Sequence, residues 1–162
     1  MPEGPETVRL WRLVKRSRAA EAWDGEGAFR FGGRWNSRGV RIVYASRSLS
    51  LALLEVLVHL DPASALPALC ALSIDLPSEA IRPSPVALPN GPSIHFPFNQ
   101  GRSRTIGDAW ALEAESSALA VPSAVVPSEE NVLINPTHPD FARFKRSKPR
   151  PFFFDPRLGP GL

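Results

Sequence analysis

Apolar positions fall in short runs punctuated by glycine and proline, a spacing that suits strands and brief helices better than a helical bundle. Across residues 4–14, Val8, Leu10 and Leu13 supply the apolar positions of a strand. Residues 40–45, VRIVYA, are β-branched and aromatic and predict a buried strand. Residues 69–76 predict a second good strand, 118–126 another despite Pro122, and 131–136 a short one running into a turn. Residues 151–158, PFFFDPRL, predict a last strand or edge segment. Two helices are expected. Ser48 or Ser50 caps the first, which runs to about His59 and is stopped by Asp61-Pro62; the second is short and covers residues 105–115. Residues 25–39 hold five glycines and predict loop or hairpin, and the proline-rich residues 77–101 predict a long irregular excursion. Strands outnumber helices without alternating with them. The pattern predicts an α+β single domain built on a twisted, mixed or mainly antiparallel sheet.

Composition narrows this further. A chain of 162 residues has the length of one domain, and 43% hydrophobic residues suffice for a core. The longest apolar stretch, residues 51–60, is interrupted by Glu55 and His59 and is too short to span a bilayer. The N-terminus shows no basic segment followed by an apolar one, so a cytoplasmic location is expected. Cys70, the lone cysteine, excludes a disulfide framework and reads as a small core residue. His59, His95 and His138 have no metal-ligand spacing, and no metal is expected. A net charge of +3, rich in arginine, permits a nucleic acid or a small phosphorylated ligand without choosing between them.

Candidate chemistry lies in a few places. The stretch GGRWNSRG, from Gly32 to Gly39, matches neither a dinucleotide fingerprint nor a P-loop. It is either a hairpin with solvated arginines or a close-approach loop in which Arg34 forks a phosphate beside a Trp35 plate. In the helix near Ser48, the residues Ser48, Ala52, Glu55 and His59 share one stripe. That stripe is either the wet face of a core helix or the wall of a cleft that sets the Glu55 carboxylate against positive charge. Tyr44, the only tyrosine, ends the VRIVYA strand either as a core aromatic or at the same site. Arg12 interrupts an apolar strand, facing solvent or a ligand, and Ser123 stands in a strand too apolar to be exposed throughout. Residues 145–150, KRSKPR, form a solvated loop or a phosphate or partner contact. A nucleic-acid-binding or structural interaction module is the alternative to an enzyme. Against the first, no aromatic residues interleave with that basic run; the second leaves Glu55 in its apolar helix unexplained.

Taken in order, WRL at Trp11, GGRWNSRGVRIVYAS from Gly32, LALLEVLVHL around Glu55, GDAW at Gly107, VPSAVVP at Val121, NVLINPTHP from Asn131 and FFFDPRL resemble the RES-domain toxins of bacterial toxin–antitoxin pairs. The resemblance runs over about residues 11–158, so the whole chain is expected to be one RES domain. It implies an ADP-ribosyltransferase-like fold and a toxin that cleaves the nicotinamide–ribose bond of NAD+, the substrate, with no prosthetic group. ADP-ribose would pass to water, to phosphate or to a protein. The family's arginine, glutamate and serine fall on Arg34, Glu55 and Ser123 as catalytic residues, with Ser117 the rival for the serine. Arg12, Arg34, Trp35 and Tyr44 are the implied NAD+-binding residues. The implied partner is a cognate Xre-type antitoxin that occludes the active site; neither nucleic acid nor a membrane is expected as a direct partner.

Overall fold

A computed structural model describes residues 5–61, 63–88 and 99–158. Within these the chain order is β1 (Thr7–Lys15), α1 (Glu26–Phe31), β2 (Val43–Ser46), α2 (Leu49–Leu57), β3 (Leu69–Pro77), β4 (Ile81–Pro83), α3 (Gln100–Glu113), β5 (Ala118–Pro122), β6 (Glu130–Ile134), β7 (Lys145–Arg146) and β8 (Arg150–Phe152). Short 3-10 turns fill several connections. The strands form one sheet in the order β4-β5-β6-β2-β1-β3-β7, with β8 also paired to β3. All pairings are antiparallel except β4 with β5, so the sheet is mixed and the molecule is an α+β single domain, as the pattern predicted.

The strands of this sheet are not equally well joined. β1 pairs with β3 along its whole length, from Thr7 opposite Pro77 to Lys15 opposite Leu69. On its other side β1 meets β2 at one registered pair, Trp11 opposite Ser46. The ladder is therefore weak at the β1–β2 junction, and backbone on both sides of it is left to line a cleft.

Both faces of the sheet are covered, which is why β5, ALAVP, is buried at every position. Leu10, Val43, Ile74, Val132 and Ile134 point to one face, where Trp23 and Phe141 pack on them. Leu119, Val121 and Leu133 point to the other, against Trp35 and Trp110. α2 lays Leu49, Leu53 and Val56 on Leu13, Leu69 and Ala71, with Phe152 and Phe154 closing the same cluster. Cys70 is buried in the core, between Ala22 and Leu72.

Besides placing β4 in the expected excursion and β7 in the basic run, the structure departs from the pattern in four places. The glycine-rich residues 25–39 contain a helix, α1, bracketed by Gly25 (φ +71°) and Gly32 (φ +69°), whose left-handed backbone turns the chain at both ends. The β2 ladder begins at Val43 rather than at residue 40. β5 stops at Pro122, because the Ser123 hydroxyl accepts the N–H groups of Val125 and Val126 and turns the chain back toward β6. α3 starts a turn and a half earlier than expected, at Gln100, with Asn99 accepting the Arg102 N–H as its cap. Of the two serines that could cap α2, Ser48 does so, accepting the Leu51 N–H at 3.1 Å. His95 and part of the expected excursion over residues 77–101 lie outside the described residues.

Candidate active site

The β1–β2 junction opens into a cleft of about 500 Å³ whose walls include Arg12, Arg34, Tyr44, Glu55, His59, Arg104 and Asn131. Glu55 leaves α2 half-buried, and one of its oxygens, Oε1, accepts two hydrogen bonds. The Ser123 hydroxyl donates at 2.7 Å and the Asn131 amide at 2.5 Å. Ser123 is completely buried, and its Oγ is already taken as acceptor by Val125 and Val126, each at 3.0 Å. Its one proton is thereby directed to Glu55. Among the described residues Oε2 accepts no hydrogen bond, leaving half of the carboxylate available in a cleft otherwise furnished with cations.

The opposite wall is the loop that follows α1. Asn36 is fully buried, and its amide nitrogen lies 2.9–3.0 Å from the carbonyls of Ala28, Ser37 and Val40. Its side-chain oxygen accepts the Tyr44 hydroxyl at 2.7 Å, and that hydroxyl in turn accepts the Trp35 N–H at 3.0 Å. Burial pushes the Tyr44 phenol up to about 12, so it remains a neutral donor at physiological pH. From α3, Ser103 donates to the Arg34 carbonyl at 2.6 Å and Arg104 donates through Nε to the Gly33 carbonyl at 2.9 Å. Asp108 receives the Ser37 N–H at 2.8 Å. The backbone of the loop that carries Arg34 is thus clamped between Tyr44 and α3, while Arg34 and Arg38 themselves are exposed.

Two glycines in this wall are dictated by contact. A Cβ on Gly107 of α3 would stand 1.8 Å from the Trp35 carbonyl oxygen, and one on Gly33 would stand 2.6 Å from the Tyr44 hydroxyl. The close approach of helix, loop and strand depends on the missing side chains.

The structure therefore gathers Glu55, Ser123, Arg34 and Tyr44 around one cleft. Arg12 also lines it, with one guanidinium N–H donated to the Ala22 carbonyl and the group lying 5.8 Å from the Trp23 ring centre. Burial lowers Arg12 to about 10, still far enough above neutrality to keep its charge. Trp35 is different. The residue borders the cleft but is only 3% exposed and packs with Trp110 and Leu119, so it is a core residue and not the aromatic plate that the sequence offered. Ser117 lies at the other end of β5, in a separate and larger hollow of about 720 Å³ lined by Asp75, Glu79 and Asp140, away from Glu55. Ser123 is the serine that touches the glutamate.

Sequence reasoning missed Arg104 and Asn131. Arg104 falls in the first turn and a half of α3, next to the proline-rich stretch where no helix was expected. Asn131 begins a strand whose pattern reveals only its apolar positions. Among the described residues no group of three or more His, Cys, Asp or Glu could hold a metal, and no helix is long and apolar enough to cross a membrane.

The chain as a whole is similar to known proteins. A model of the RES domain family matches residues 9–155, and the chain belongs to that family. A relative named Prs ADP-ribosylating toxin, from Sphingobium sp. (strain YBL2), is 40% identical over 156 residues, covering 94% of this chain and 97% of its own. Proteins named Toxin Res from Yersinia enterocolitica and Photorhabdus laumondii are 39% and 38% identical, over 93% and 92% of this chain and 99% and 96% of theirs.

Proposed function

We propose that this chain is a toxin that cleaves the nicotinamide–ribose bond of NAD+ and transfers the ADP-ribose, with Glu55 as the catalytic carboxylate. The observation that carries the reading is the Glu55 carboxylate, held through one oxygen by Ser123 and Asn131 in a cleft that also contains Arg12, Arg34 and Arg104. The names of the relatives, toxin and ADP-ribosylating toxin, support the same chemistry.

The reaction asks little of the protein beyond charge and position. When the C1′–N bond breaks, its electron pair leaves with the ring, so nicotinamide departs neutral and needs no general acid. Positive charge develops on the ribose, where a fixed carboxylate stabilises it more than it stabilises the ground state. One carboxylate suffices, unlike the pair that an ordinary glycosidase uses. Arg34 and Arg104 suit the diphosphate through charge-assisted hydrogen bonds, with Arg12 beside them. Tyr44 lines the cleft while its hydroxyl holds the arginine loop. The acceptor is a protein, water or phosphate, and a cognate antitoxin of the Xre type neutralises the toxin by covering the cleft.

The test follows both halves of NAD+ after incubation with the purified chain. Nicotinamide release in buffer alone identifies water as acceptor, a rise with phosphate identifies phosphate, and ADP-ribose label on a protein band in cell extract identifies a protein. A folded chain that releases no nicotinamide under any of these conditions overturns the reading.

A further inference from the structure

Asn131 stands at the start of β6, registered opposite Ser46 of β2 on one side and Val121 of β5 on the other. The directions of its hydrogen bonds follow from chemistry. A carboxylate only accepts, so the group 2.5 Å from Glu55 Oε1 is the amide N–H₂. The amide oxygen then faces Ser46, and the Ser46 hydroxyl, on a side chain 4% exposed, donates to it at 2.7 Å. Reversing the amide would set its oxygen against the carboxylate and strand the Ser46 proton. On the neighbouring positions Arg47 and Glu130 pair at 2.9 Å, tying the same two strands together beside the amide. A relay of fixed polarity thus runs from Ser46 through Asn131 to Glu55, ending on the oxygen that Ser123 also holds.

We propose that Asn131 is a positioning residue of the reaction: its amide, oriented by Ser46, fixes the rotation of the Glu55 carboxylate, leaving Oε2 for the developing charge on the ribose. The inference rests on the reading of Glu55 as the catalytic carboxylate. It gives Ser46, which lines the same cleft, a part in the site although among the described residues no hydrogen bond joins it to Glu55. The charged and titratable groups that share the cleft with Glu55 are Arg12 from β1, Arg34 from the loop after α1, Tyr44 from β2, His59 from α2 and Arg104 from α3. None of these supplies either hydrogen bond to Oε1, so the orientation depends on the neutral pair Ser123 and Asn131.

The experiment measures nicotinamide release across NAD+ concentrations, giving kcat and KM, for the full chain and for Asn131→Ala, Asn131→Asp and Ser46→Ala. Asn131→Ala is expected to lower kcat by about tenfold to a hundredfold, as misplacing a catalytic group does, with KM for NAD+ within about twofold. Asn131→Asp, nearly isosteric, replaces the donor to Oε1 with a second carboxylate and is expected to lower kcat at least as far, again at little-changed KM. Ser46→Ala keeps Asn131 but frees its amide and lowers kcat several-fold at unchanged KM; it decides the matter alone if the Asn131 variants do not fold. Wild-type kcat in the folded variants overturns the inference while Glu55 keeps its role. So does a loss that tracks only the folded fraction. A wild-type chain that releases no nicotinamide overturns both.

Discussion

Ser123 and Tyr44 illustrate how much a polar side chain depends on what it is bonded to. The Ser123 hydroxyl accepts two backbone N–H groups and gives its proton to Glu55, so it is at once the pin of a turn and a support of the carboxylate. Ser123→Ala is expected to cost about 1–3 kcal/mol of stability and to slow NAD+ cleavage about tenfold or more. Ser117→Ala, at the far end of β5, is expected to leave turnover within about twofold of wild type. Urea denaturation and nicotinamide release measure the two effects. Tyr44 supplies a pH test, because as the sole tyrosine it alone reports phenolate absorbance. Its pKa is raised on folding from 10.0 to about 12 by burial. Over that window the unfolded chain loses the proton and the native chain keeps it. The stability that the neutral phenol contributes is therefore complete below pH 10 and falls as pH rises through the window. Spectrophotometric titration should find the native midpoint near 12 and the midpoint in denaturant near 10; a native midpoint near 10 would mean that the phenol is not buried.

At the scale of elements, the site exists because α3 lies hard against the loop after α1. Gly107→Ala would drive a methyl group into the Trp35 carbonyl, and backbone cannot yield as a flexible side chain can. A loss of about 1–3 kcal/mol or more is expected, read from the denaturation midpoint, together with weaker NAD+ binding as Arg34 and Arg104 shift. This scale also shows what the chain's pattern could reveal. β1, β3, β6 and α2 are legible because their apolar periodicity is local, and Glu55 stands out as a charge within an apolar helix. α1 is hidden because its flanking glycines resemble a loop, although Gly25 and Gly32 are there to end a helix. The start of α3 is hidden because its cap, Asn99, follows a run of prolines. Trp35 misleads for the opposite reason: a tryptophan beside an arginine in a glycine-rich stretch looks exposed, and only the packing of Trp110 from α3 shows that it is core. Asn131 could not be found from pattern at all, since its partners Ser46 and Glu55 are 85 and 76 residues away along the chain.

For the molecule as a whole, the sheet divides its labour at the β1–β2 junction. On one side β1 and β3 form a long, fully paired ladder that carries Arg12; on the other, β2, β5 and β6 bring Tyr44, Ser123 and Asn131, and α2 brings Glu55 across to them. Three arginines and one carboxylate then share a cleft of about 500 Å³, a volume suited to a small charged ligand. On the proposed function, the arginines would hold the phosphates of an anionic dinucleotide and Glu55 would stand at the glycosidic carbon. The most direct test replaces that group alone. Glu55→Gln keeps an oxygen to accept from Ser123 and Asn131 and removes only the charge, so the fold should survive within about 1 kcal/mol. Nicotinamide release from NAD+ by the variant, compared with wild type at equal folded concentration, is predicted to fall by at least about a hundredfold, the scale of a lost electrostatic stabiliser. A folded Glu55→Gln chain that turns over NAD+ at the wild-type rate would contradict the account.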